Sequence, residues 1–109
     1  MNSLGLKTVT THGTPVQLTT DTSIHCNVIS VQPIKAGGAT GVAPTENVGA
    51  IYLNRGSAAK GTALTGTVLL LRPVDTAFSI KAPTQLGFQL SHFYLDADND
   101  GDGALISYA

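Results

Sequence analysis

The sequence predicts an all-β fold, a β-sandwich or jelly-roll-like barrel of about seven or eight short antiparallel strands. Three observations lead there. Gly and Pro occur 12 and 5 times in 109 residues, too often for an apolar pattern of helical length to survive between them. Thr and Val, which strands favour, are abundant. Short apolar runs are separated by turn formers about every eight to twelve residues, the spacing of strands in a sandwich or barrel. The length suits a single β domain over residues 1–109.

Taken in order, Lys7 to Thr11 reads as a weak first strand, closed by His12-Gly13-Thr14. Pro15 opens a second strand, Val16 to Thr20, at a position where its missing N–H is tolerated. After Asp21-Thr22-Ser23, Ile24 to Gln32 is the best early strand. Its apolar phase slips: Ile24, Cys26 and Val28 share one face, Ile29 and Val31 the other. A bulge near Val28, or burial on both faces, would explain the slip. Pro33 to Glu46 is a long flexible loop rich in Gly and Ala, expected to be poorly ordered until bound.

Asn47 to Leu53 is the next strand, with Gly49, Ile51 and Leu53 opposite Val48, Ala50 and Tyr52. Ala58 to Leu64 is short and irregular. Thr67 to Leu71 is apolar without alternation, so both of its faces need cover. Ala77 to Ala82 alternates, and Leu86, Phe88 and Leu90 share a face. Phe93 to Tyr108 closes the chain as a β-hairpin: Phe93-Tyr94-Leu95 and Ala104 to Tyr108 flank a run of turn formers.

Composition narrows function. A net charge of -1, from six basic and seven acidic residues, excludes the basic face that nucleic acid needs. The longest apolar run, Val68 to Leu71, is too short for a bilayer, and the start of the chain lacks the apolar stretch of a leader. Cys26 is the single cysteine, so no internal disulfide forms, and its setting reads as a buried inert thiol. His25 and Cys26 point to opposite faces and cannot converge on one atom. His12, His25 and His92 do not cluster, and no nucleophile sits beside an acid/base pair. Gly37, Gly38 and Gly41 are not followed by the Lys-Ser/Thr of a phosphate cradle. The chain therefore reads as a non-enzyme without a cofactor.

Asp96, Asp98, Asp100 and Asp102 hold four of the seven carboxylates. Asp96-x-Asp98-x-Asp100-Gly101 matches the opening of a calcium loop, but Ser107 stands where the bidentate Glu belongs, and the flanks are strands. Asn99-Asp100-Gly101 also suits a plain tight turn. Two readings stand: an acidic tip with outward, hydrated carboxylates, which is favoured, or a weak Ca2+ site at those four residues.

The order of these patterns is familiar. Thr8 to Thr19 holds a T-x-G-x-x-V-x-L start, and Asn27-Val28-Ile29-Ser30-Val31-Gln32 follows as a core strand. Asn47 to Leu53 follows an N-x-G-x-I-Y-V pattern, and Tyr94-Leu95-Asp96-Ala97 with Gly101-Asp102-Gly103 resembles a Y-V-D-A…D-G-x-G-V ending. Together they resemble small virion structural proteins of tailed bacteriophages. The long loop and the apolar Val68-Leu69-Leu70-Leu71 depart from that pattern and suggest a partner of this chain's own. The resemblance implies a β-sandwich on the virion. The favoured reading is a capsid decoration or cement protein on the capsid surface, with the major capsid protein and itself, as dimer or trimer, for partners. Val68, Leu69, Leu70 and Leu71 are the expected interface. A tail or host-recognition accessory protein and a small calcium-binding β module are the alternatives.

Overall fold

The computed structural model describes residues 2–35, 44–56, 67–82 and 87–109, with the side chains of 67 and 68 left aside. Among these residues the chain is almost wholly β, with antiparallel pairing throughout. The strands are β1 (Asn2–Thr8), β2 (Val16–Gln17), β3 (His25–Cys26), β4 (Val28–Pro33), β5 (Ile51–Arg55), β6 (Thr67–Leu71), β7 (Phe78–Lys81), β8 (Phe88–Gln89), β9 (Phe93–Ala97) and β10 (Gly103–Tyr108). A short 3-10 turn, Leu90–His92, joins β8 to β9.

The ten strands exceed the seven or eight expected, because several are only two residues long. One four-stranded sheet runs β1-β10-β4-β7, a second runs β2-β9-β5-β6, and β3 pairs with β8. The two larger sheets bury one face each against the other, so the fold is sandwich-like, with no closed barrel among the described residues. Ile29, Val31, Ala104 and Ile106 from the first sheet meet Ile51, Leu53, Leu71, Phe93, Leu95 and Ala97 from the second. Phe88 and Phe93 pack edge to face with centroids 5.1 Å apart, a favoured aromatic geometry.

The Phe93–Tyr108 hairpin is corrected. β9 pairs with β2 and β5, whereas β10 pairs with β1 and β4. The turn formers between them carry the chain from one sheet to the other. The phase slip in residues 24–32 has a similar cause. The chain leaves the β3–β8 pair at Asn27 and enters the first sheet at Val28. Both amides at the break donate to the carbonyl of Ala109, at 2.7 and 3.1 Å. The break resets the alternation, so Cys26, Ile29 and Val31 are all buried.

Other boundaries shift. The first strand lies at Asn2–Thr8 rather than Lys7 to Thr11, and the strand expected from Asn47 begins at Ile51. Lys35 and Thr45 exchange two backbone hydrogen bonds of 2.9 Å and close the stem of the long loop. Residues 36–43 of that loop, the Ala58 to Leu64 stretch and Leu86 lie outside the described residues.

Candidate functional site: the acidic connection and the apolar edge

Three sheet-crossing segments meet at one end of the sandwich: residues 9–15, 47–50 and 98–102. The Val9 amide donates to the Asp102 carbonyl at 2.8 Å, and Gly101 N–H returns to the Val9 carbonyl at 2.8 Å. Asp98 N–H reaches the Ala50 carbonyl at 3.0 Å. Gly101 takes φ +85°, the left-handed conformation that Gly adopts without steric cost.

Each of the four aspartates serves a different partner. Asp96 accepts from Gly13 N–H at 2.9 Å and from the adjacent Ala97 N–H at 2.8 Å. Asp98 accepts from the Tyr52 hydroxyl at 2.9 Å. Asp100 Oδ1 accepts from His12 N–H at 2.8 Å and lies 2.7 Å from His12 Nδ1. These His12 hydrogen bonds, the backbone one first, hold the Asp100 carboxyl below its ordinary value of 3.8. Asp102 uses both oxygens, taking Val48 N–H at 2.9 Å and Gly49 N–H at 2.8 Å.

The expectation of four outward, hydrated carboxylates is therefore corrected at Asp96 and Asp102, which are both 0% exposed. A buried carboxylate persists only where hydrogen bonds replace its water, and backbone amides do so here. The four carboxylates are thus spread over three segments: Asp96 and Asp100 hold residues 12–13, Asp98 meets Tyr52 and Asp102 holds Val48 and Gly49. Among the described residues no group of three or more His, Cys, Asp or Glu side chains could hold a metal ion.

Asn47 completes the junction. Its side-chain Nδ2 donates to the Gly103 carbonyl at 2.8 Å, and Gly103 N–H donates back to its Oδ1 at 2.9 Å. Sequence reasoning missed this residue and placed it at the head of a strand. The available signal was compositional, since Asn is depleted in strands and favours local backbone bonding.

The apolar stretch divides. Among the described residues β6 is an edge strand, paired on one side with β5. Leu71 is buried and Leu69 packs on the core, while Leu70 is 47% exposed. The Val68 side chain lies outside the described residues, and the β5–β6 register shifts beside it. β7, the edge of the other sheet, follows through residues 72–77. Val74 in that connection is 76% exposed and Phe78 on β7 is 53% exposed. Arg72 N–H donates to Asp75 Oδ2 at 2.7 Å and shapes the turn between them. Cys26 is buried, and burial pushes its thiol up from the ordinary range. His25 beside it is exposed.

No family model, curated protein or solved structure matches this chain.

Proposed function

We propose that this chain is a non-enzymatic structural protein of a phage virion, a capsid decoration protein on the capsid surface that binds the major capsid protein and its own copies. The virion part of this reading rests on the resemblance of the Thr11–Leu18, Asn47–Leu53 and Tyr94–Gly103 patterns. The binding part rests on one observation. Leu70, Val74 and Phe78 leave large apolar side chains exposed along two successive edge strands and the connection between them. Exposed apolar surface beside unpaired strand edges favours docking onto another chain. A stiff sandwich suits such a clamp, because its contact surface needs little ordering on binding.

A stained gel of purified particles tests this reading. The chain should be among the most abundant bands, near the major capsid protein. A faint band, or a band confined to isolated tails, overturns it.

A further inference from the structure

Away from the acidic junction, at the opposite end of the second sheet, lies an open cleft of about 490 Å³. That volume lies within the roughly 300–1,000 Å³ range of small-ligand sites. Its walls come from β2, β5, β8, β9 and the 3-10 turn, and they are tied together. Gly56 N–H donates to the His92 carbonyl at 2.8 Å, and Leu18 N–H to the Phe93 carbonyl at 3.0 Å. Gln17, Arg55, Gln89, Ser91, His92 and Tyr94 line it.

The two glutamine amides are held in place. Gln17 Nε2 donates to the Ser91 carbonyl at 2.8 Å. Gln89 Nε2 donates to the Thr22 carbonyl at 3.1 Å and to Ser91 Oγ at 3.2 Å. Gln89 has both N–H donors engaged and Gln17 one of its two, so each amide keeps an oxygen that accepts hydrogen bonds, and Gln17 keeps one N–H. Arg55 lies with its guanidinium carbon 5.9 Å from the Phe93 ring centroid, which positions the cation without neutralising it. Among the described residues no carboxylate pairs with Arg55, and no acidic side chain lines the cleft.

We propose that this cleft binds an acidic sugar, a pyranose carrying a carboxylate. Arg55 takes the carboxylate through its planar donor fork. The glutamine oxygens take sugar hydroxyl protons, and Tyr94 brings an aromatic ring to the wall. A bare inorganic anion has no donors to satisfy those oxygens, and a neutral sugar leaves the Arg55 charge unused. The site is independent of the assembly reading above and survives its failure.

Backbone amide NMR titration of the full chain with glucuronate tests the site, with glucose, glucuronamide and acetate as parallel probes. Glucuronate should shift resonances of Gln17, Arg55, Gln89, Ser91, His92 and Tyr94 and saturate. Glucuronamide and glucose should bind about tenfold more weakly or not at all, as expected for loss of a charge-assisted contact. R55Q should lose the glucuronate response by a similar factor while R55K keeps part of it. Absence of saturable shifts with glucuronate in the wild-type chain overturns the proposal. So does equal binding of acetate or of glucose, or a response spread evenly over the surface.

Discussion

Asn47 and Gly103 exchange two hydrogen bonds, 2.8 and 2.9 Å long, between the side chain of one and the backbone N–H and carbonyl of the other. Beside this pair, Asp102 binds the two amides that follow Asn47. The 47–50 segment is thus fixed to the start of β10 through side chains, at a point where no strand pairing connects them.

Asp102→Ala should therefore destabilise strongly. Two backbone amides lose their acceptor at a site that is 0% exposed. A loss of about 3 kcal/mol is expected from unsatisfied partners. Asn47→Ala should cost about 2 kcal/mol by the same mechanism. Urea denaturation measures both. A loss within error for Asp102→Ala would show that the buried carboxylate contributes nothing.

Gly103→Ala should also destabilise, for a steric reason. A Cβ at that position would clash with the Lys7 carbonyl oxygen, in the backbone of the neighbouring strand. β1 and β10 must then separate locally, at a cost of about 1–3 kcal/mol. Reduced amide protection of Lys7 and Thr8 in hydrogen exchange should accompany the loss of stability.

Acid should reveal the Asp100 contact. Its folded-state value lies below 3.8, so its stabilisation is present above that pH and is lost as pH falls through the folded value. Asp100→Asn keeps an acceptor oxygen for both His12 contacts but removes the titration. At neutral pH it should change stability little. As pH falls below 3.8 and through the lowered folded-state value, its stability should fall less steeply than that of the wild type. An unchanged acid limb would overturn the assignment.

Chelation should leave the thermal midpoint nearly unchanged. Asp96 and Asp102 already receive backbone amides, so their oxygens are partly committed without a cation. A fall of many degrees in chelator, reversed by calcium and not by magnesium, would instead make the four aspartates a structural metal site.

Leu70→Lys and Phe78→Lys should separate assembly from folding. Both side chains are about half exposed, so the midpoint should move little. Binding to particles lacking the protein, measured by co-sedimentation, should fall at least about tenfold through buried-charge cost at the contact. Unchanged co-sedimentation would remove this edge from the interface.

The sequence by itself determined the all-β class, because strand preference and dense Gly and Pro act locally. It also determined the alternation that buries Ile51 and Leu53 and the positive φ of Gly101. Which strands pair was not local. Of the sequence-adjacent strands described, only β5 and β6 pair with each other. Phe93–Ala97 and Gly103–Tyr108 look like a hairpin because strand–turn–strand has the same residues whether the turn folds back or crosses between sheets. Only the packed structure decides, since crossing lets both strands bury an apolar face in one core. The acidic run was likewise visible as composition and not as geometry. Whether four carboxylates gather round an ion or disperse depends on which backbone amides are brought to them. Those belong to Gly13, His12, Val48 and Gly49, which are far away in sequence and become neighbours only when the sandwich closes.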